Sequence, residues 1–205
     1  MSDEDRPRRL RADAERSRAR ILEAARTVLT ADPNASLEQV ADAAGLARAT
    51  VHRRYSSRQS LLDALALDLN ARYRQAFEKA RVKTAPPIVA LHRLTELAFE
   101  LKISDPFVGP TPADEGSPRG PQFDSEIQAG LDLLFSRLHA AGEILSSDPA
   151  WGRRMYLALL HVVHELPTAS PTLEALVGTS SDEAGARADL LVSTLINALG
   201  RPTGR

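Results

Sequence analysis

The sequence predicts an all-α protein, on three observations. Its 205 residues are 43% hydrophobic and 26% charged, which is the balance of a folded globular chain. Alanine, leucine, arginine and glutamate, all strong helix formers, are abundant, whereas β-branched and aromatic residues are few. Apolar residues recur at helical spacing in several segments, and no segment shows the alternation of a strand. The length allows one ordinary domain or two small ones.

Four helices are predicted in the first part of the chain. Residues 1–10 are charged and poor in apolar residues, which predicts a disordered basic arm. A capping box at residues 36–39 and a second at residues 56–59 predict two helix starts. The predicted helices cover residues 11–30, 37–43 and 48–55, and a long fourth helix opens at the capping box of residues 56–59 and ends at residues 84–87. The Pro86-Pro87 pair follows the fourth helix and predicts the end of the first domain, at about residue 81.

The second part of the chain, residues 82–205, is predicted to be a second helical domain. Asp148-Pro149 and a capping box at residues 180–183 predict two of its helix starts. Residues 105–121 are rich in Pro and Gly and predict a loop. The predicted helices cover residues 88–104, 122–146, 149–166 and 184–199, with one further turn at 173–177.

Composition and motifs exclude several classes of function. The chain contains no Cys, which rules out disulfides, thiolate metal sites and cysteine nucleophiles. We expect no signal peptide and no membrane span, since no run of roughly 18 apolar residues exists, and therefore a cytoplasmic protein. The sequence has no GxSxG, P-loop or GxGxxG motif, so we expect no enzyme and no cofactor.

The charge is distributed unevenly along the chain. The formal net charge is −1, but residues 1–81 carry a net +4 and residues 82–205 a net −5. Such asymmetry is typical of a chain in which one part meets a polyanion. The alternative is that the arginine side chains only solvate helix faces.

The two short helices, with the helix before them and the long helix after them, are predicted to form a helix-turn-helix module. Ala41 and Gly45 lie where the short helices approach closely, and Val40, Leu46 and Val51 are the apolar residues between them. The outer face of the second short helix carries side chains that can bind phosphate or contact base edges. These are Arg48, Ala49, Thr50, His52, Arg53 and Arg54.

Residues 36–65, SLEQVADAAGLARATVHRRYSSRQSLLDAL, resemble the DNA-binding domain of TetR-type transcriptional regulators. The matching positions are Val40-Ala41, Ala44-Gly45-Leu46, Thr50-Val51, Tyr55, Ser57-Arg58 and Leu61-Leu62. The resemblance adds Ser36, Tyr55 and Arg58 to the predicted DNA-binding residues. The chain departs from the family pattern at Ala47, where a capping Ser or Thr is usual, and at His52, where a phosphate-binding Tyr is usual.

The resemblance implies a homodimeric regulator, usually a repressor, that binds a pseudo-palindromic double-stranded operator and is released by a small-molecule effector. The first domain, residues 11–81, would bind DNA, and residues 82–205 would bind the ligand and form the dimer. Arginines of the arm are possible minor-groove contacts, or else part of a solvated tail. They are Arg6, Arg8, Arg9 and Arg11.

Two further sets of residues follow from the helical second domain. The last two long helices would form the dimer interface, or else they pack only within the monomer. The candidate interface residues are Leu157, Leu160, His161, His164, Leu190, Leu191, Thr194, Leu195 and Ala198. The second domain would also contain a pocket for a lipophilic ligand, unless its apolar residues are ordinary core. The candidate lining residues are Leu94, Leu97, Ala98, Leu101, Phe107, Phe123, Ile127, Leu131, Trp151 and Met155.

Two other functions stay open at this stage. His161 and His164 share a helix face, but they form no HExxH motif and have no third ligand nearby, so we expect no metal site rather than a metal sensor. The helix-turn-helix is alternatively a corner of similar shape in an all-α small-molecule-binding protein without DNA function.

Overall fold

A computed structural model of the chain describes residues 5–101, 124–177 and 182–200. Over these residues all regular structure is helical, which confirms the predicted fold class. No helix in this part of the chain is long and apolar enough to cross a membrane. The helices are α1 Asp5–Ala31, α2 Leu37–Ala44, α3 Arg48–Arg54, α4 Arg58–Ala80, α5 Pro87–Glu100, α6 Ser125–Ala140, α7 Pro149–His164, α8 Pro171–Val177 and α9 Glu183–Ala198.

The chain divides into two compact units, residues 1–67 (unit 1) and residues 68–205 (unit 2). The division falls inside α4, whereas the sequence predicts a domain boundary at about residue 81. The reason is burial, because Leu69, Tyr73 and Ala76 of α4 belong to the hydrophobic core of unit 2. The helix periodicity predicts α4 itself but not the core to which its second half contributes.

Helix α1 begins at Asp5, six residues earlier than predicted, so the backbone of residues 5–10 is helical rather than a disordered arm. Pro7 does not prevent this, because it falls in the first turn, where a backbone N–H has no intrahelical acceptor. Arg6, Arg8 and the other arginines of the predicted arm lie outside the residues whose side chains are described. Their minor-groove contacts stay a prediction.

The first predicted capping box is confirmed. The backbone N–H of Gln39 donates to Ser36 Oγ at 3.3 Å, and the Ser36 N–H donates to Gln39 Oε1 at 2.7 Å. The two bonds satisfy backbone donors that the start of α2 would otherwise leave without a partner. Ser36 therefore sets the first residue of the helix-turn-helix.

The capping box predicted at residues 56–59 is wrong by one position. The reciprocal pair is Ser57 and Ser60, whose backbone N–H groups donate to the partner hydroxyls at 3.2 and 3.1 Å. Since α4 begins at Arg58, Gln59 is only its second residue and bonds Asp63 instead. For α9 the cap is Asp182, which accepts from the Gly185 N–H at 2.8 Å, and Ser180 lies outside the described residues.

Unit 2 packs α5 against α9 and α6, and α7 against α6 and α9. Helix α6 ends at Ala140, before the predicted end at residue 146. The next residues satisfy their backbone elsewhere, because Leu145 and Ser146 donate to the carbonyls of Gly200 and Leu199 at 3.1 and 3.3 Å.

A buried arginine closes the end of α7. Arg187 of α9 is 8% exposed and donates to the carbonyls of Val163, His164 and Leu166. These carbonyls have no intrahelical partner at the end of a helix. Glu183 lies one turn before Arg187 in α9, and its Oε1 is 2.8 Å from Arg187 Nη2, so its carboxylate balances the charge of the guanidinium. The arginine thereby ties α9 to the C-terminal end of α7.

Candidate nucleic-acid interface

Gly45 and Arg20 determine the turn between α2 and α3. Gly45 has a φ of +61°, a left-handed conformation that glycine adopts without steric cost, and it caps α2. Arg20 of α1 donates through Nη2 to the carbonyl of Ala44 at 2.7 Å and to that of Gly45 at 3.3 Å. A Cβ at Gly45 would lie 3.2 Å from this nitrogen. The end of α2 is therefore held from two sides.

The inner face of α3 packs as the sequence predicts. Val51 of α3 and Val40 and Ala41 of α2 are fully buried, and Leu46 of the turn is half-buried. The small side chain of Ala41 and the absence of one at Gly45 let the helices approach. Because these contacts hold one face of α3 inward, its other face is presented to solvent.

The outer face of α3 brings the predicted recognition residues together. Arg48, Ala49, His52, Arg53 and Arg54 are exposed and Thr50 is half-buried. Arg48 Nη2 lies 3.4 Å from Asp42 Oδ2, an exposed pair that contributes little to stability. Within the part of the chain that the structure describes, Arg53 and Arg54 form no ion pair. Their guanidinium groups are therefore available to an external anion.

A cleft of about 490 Å³ opens beside these arginines. Thr50, Arg53 and Arg54 line it on α3, and Asp13, Ala14 and Ser17 line it on α1. No pattern in the sequence indicates that α1 contributes to this surface.

A hydrogen bond between His52 and Glu38 links α3 to the first turn of α2. His52 Nε2 lies 2.9 Å from Glu38 Oε1. The hydrogen bond with His52, followed by those with its own backbone N–H and with Ser36, lowers the pKa of Glu38 to about 2. Sequence reasoning missed Glu38, because no spacing rule joins two exposed residues 14 positions apart.

Two predicted DNA-binding residues lie elsewhere than expected. Tyr55 is 5% exposed, because extended backbone after α3 (φ −128°) directs it into the core of unit 1. Arg58 is half-buried and donates through Nη2 to the carbonyl of Pro33, in the turn between α1 and α2. Their contact with phosphate stays a prediction, but both side chains have a packing role in the structure.

The predicted pocket residues of unit 2 have mixed positions. Leu94, Ala98, Ile127 and Leu131 are fully buried in the core. Leu97, Leu101 and Met155 pack against that core, and Trp151 is 47% exposed. Phe107 and Phe123 lie outside the described residues. The lining of a ligand site by these residues stays a prediction.

The predicted interface residues divide by burial. Three of them, Leu160, Leu191 and Leu195, are buried in the core of unit 2, where they pack within the monomer. The exposed members are His161, Thr194 and Ala198, and the half-buried members are Leu157, His164 and Leu190. No group of three or more His, Asp or Glu among the described residues is placed to hold a metal ion.

Replacement of Ala47 by serine should stabilise unit 1. Ala47 occupies the N-cap of α3 with extended backbone (φ −60°, ψ 136°), but it makes no capping hydrogen bond. We expect Ala47→Ser to raise the free energy of unfolding in urea by about 0.5–2 kcal/mol, because its hydroxyl can accept from the first turn. The control Ala43→Ser, on the exposed face of α2, should lower it slightly. Equal effects of the two substitutions would contradict a capping role.

Loss of the Glu38 carboxylate should change the acid stability. Since the folded-state pKa of Glu38 is about 2, below its ordinary 4.5, the charged carboxylate stabilises the fold above pH 4.5 and loses this effect towards pH 2. In Glu38→Gln the free energy of unfolding should fall less steeply over this window, although solvent screening keeps the difference small. His52→Ala should behave similarly. If the free energy of unfolding of Glu38→Gln falls with pH as steeply as that of the wild type, the interaction between Glu38 and His52 is absent.

Comparison with known proteins identifies the family to which this helix-turn-helix belongs. The family model described as bacterial regulatory proteins, tetR family, matches residues 21–65, from within α1 into α4. The HTH-type transcriptional repressor LfrR of Mycolicibacterium smegmatis is 36% identical over 152 residues, which are 74% of this chain and 79% of LfrR.

Solved structures show the same likeness. The crystal structure of the TetR-like transcriptional regulator LfrR from Mycobacterium smegmatis in complex with proflavine has a TM-score of 0.57 at 30% identity, covering 90% of this chain and 95% of that chain. The TetR family regulator PfmR from Thermus thermophilus shares the fold, with a TM-score of 0.55 at 19% identity over 88% of this chain and 99% of that chain. The chain belongs to the TetR family of bacterial transcriptional regulators.

Proposed function

We propose that the protein is a homodimeric repressor that binds a pseudo-palindromic operator through α3 and is released by a small lipophilic ligand bound in unit 2. The observation that carries the DNA-binding part is the pair of exposed guanidinium groups of Arg53 and Arg54, which form no ion pair in the described part of the chain. Such a regulator acts in the cytoplasm, where its operator lies.

The chemistry of the α3 face suits double-stranded DNA. Arginine binds phosphate and bonds bidentately to the guanine edge in the major groove, and threonine contacts phosphate or the thymine methyl group. Arg53 and Arg54 would supply the arginine contacts, and Thr50 of the same helix would supply the threonine contact. His52, oriented by Glu38, would take the phosphate contact that the family pattern gives to tyrosine.

Pairing of two chains would supply the rest of the specificity. One short recognition helix reads few base pairs, so helix-turn-helix proteins bind two half-sites about 34 Å apart as dimers. The proposed interface is the outer face of α7 and α9. It carries the exposed side chains of Val162, which is 55% exposed, and of Thr194 and Ala198.

Ligand control is supported by the relative LfrR, whose crystal structure contains proflavine. The ligand proposed here is a small lipophilic molecule held in unit 2. It would release the operator only by binding the DNA-incompetent state more tightly than the DNA-bound state, since equal affinity for both shifts no population.

Arg53→Ala should weaken operator binding while leaving the rest of the protein intact. Loss of one bidentate base contact costs about 1–3 kcal/mol, so we expect affinity for DNA from upstream of its own gene to fall about 5- to 150-fold in a gel-shift titration. Arg93→Ala on the exposed face of α5 is the matched control and should leave affinity unchanged. Equal operator binding by wild type and Arg53→Ala would contradict the assigned role.

A charge on the proposed interface should separate the dimer. Light scattering of the wild type should give about twice the 22.2 kDa of one chain. Thr194→Arg places an unpaired charge on the outer face of α9 and should give the mass of a single chain, because burial of such a charge is costly. Ser136→Arg, exposed on α6, is the control and should remain dimeric. A monomeric wild type would overturn the dimer.

A further inference from the structure

The helix-turn-helix contains two acidic residues, and each contacts a side chain that is predicted to bind DNA. Between residues 36 and 58 the acids are Glu38 and Asp42, one turn apart on α2. Glu38 Oε1 lies 2.9 Å from His52 Nε2, and Asp42 Oδ2 lies 3.4 Å from Arg48 Nη2. Arg48 and His52 are likewise one turn apart on α3. The exposed edges of α2 and α3 are therefore linked at two successive turns.

Stability does not explain the contact between Asp42 and Arg48. Both side chains are 64% exposed, and exposed ion pairs of this kind contribute little to the free energy of unfolding. A carboxylate beside a surface that faces DNA also repels phosphate, so it weakens binding to DNA of any sequence. An acid at this position therefore lowers general affinity for DNA with little gain in stability, and its role lies in recognition.

The turn between the helices determines where Asp42 lies relative to Arg48. The N–H of Gly45 donates to the carbonyl of Asp42 at 3.1 Å, and Arg20 bonds the carbonyl of Ala44. Arg48 is the first residue of α3, and the N-terminal residues of a recognition helix are those that contact base edges. A guanidinium has five N–H donors, so a contact of one Nη2 hydrogen with Asp42 leaves the others for DNA.

We propose that Asp42 determines operator specificity by positioning Arg48 to bond a guanine in each half-site. The inference rests on the proposed function, in which α3 binds DNA, and it adds one base to the description of the operator. Arginine bonds O6 and N7 of guanine bidentately in the major groove, which requires one orientation of its planar fork. Asp42 restricts the orientations of that fork before DNA binds, so less conformational entropy is lost when the guanine contact forms.

The carboxylate of Asp42 therefore acts in opposite directions on specific and non-specific binding. On any DNA its negative charge weakens the attraction to phosphate. On a site with the guanine, the positioned guanidinium of Arg48 recovers this loss through a better-ordered base contact. The result is a higher ratio of operator affinity to affinity for other DNA.

The test selects binding sites from a pool of double-stranded DNA with a random central segment and sequences the DNA that each full-length variant retains. The wild type should select guanine at one position of each half-site, and Arg48→Ala should relax this preference by about 5- to 150-fold, the value of one bidentate contact. Asp42→Asn should relax it at the same position by about 2- to 10-fold, the cost of ordering one long side chain. The other positions of the motif should be unchanged.

Two further variants separate positioning from a general effect of charge. In an Arg48→Ala background, Asp42→Asn should cause no further loss of preference at that position, because Asp42 acts through Arg48. Glu23→Gln removes an exposed carboxylate that pairs with Arg26 on α1, and it should keep the wild-type motif. Loss of a negative charge strengthens binding to all DNA alike, so it leaves the preference for one base unchanged.

The other outcomes contradict the inference. A wild-type preference for guanine in Asp42→Asn would overturn the positioning role and leave the proposed function standing. A further loss caused by Asp42→Asn in the Arg48→Ala background would overturn it as well, because the effect would not pass through Arg48. If Arg48→Ala relaxes no position, Arg48 reads no base and the inference is wrong, while a motif selected by the wild type still supports DNA binding by α3. If the wild type selects no motif, the inference and the proposed function are both wrong.

Discussion

Guanidinium groups bonded to backbone carbonyls at helix ends and turns hold the helices of both units. Arg20 bonds the carbonyl at the end of α2, and Arg58 bonds a carbonyl in the turn before α2. Arg137 of α6 bonds the carbonyls of Val82 and Ala85, and Arg187 bonds a carbonyl at the end of α7. A guanidinium has five N–H donors in a rigid fork, so one side chain serves two or three carbonyls that a helix end leaves without partners. The orientation of α3 depends on the first of these contacts.

Local signals in the sequence predict the helices and the α3 face well. Helical periodicity, the Ser36 cap and Gly45 act over a few residues, so they are readable without a structure. The bond from Arg20 to Ala44 and the pair of Glu38 with His52 join residues far apart in sequence, and no spacing indicates them. The predicted cap of α4 is wrong by one residue because two neighbouring serines offer equally good caps, and only the structure distinguishes them.

One site where a local rule is broken coincides with the proposed DNA-binding function. Ala47 leaves α3 without a side-chain cap. Natural proteins tolerate such losses where a binding partner supplies the missing interaction. On this account the DNA-binding unit is stabilised further by what it binds, and the uneven charge along the chain reflects the different partners of the two units.

In the proposed function the protein recognises one DNA sequence through α3 and releases it on ligand binding. Fluorescence anisotropy tests it most directly, with labelled fragments from upstream of its own gene and scrambled fragments of equal length, each titrated with and without proflavine. We expect the affinity for one upstream fragment to be at least about a thousandfold above that for its scrambled version, and to be lost when proflavine is added. Equal affinity for both fragments, or selective binding that proflavine leaves unchanged, would contradict it.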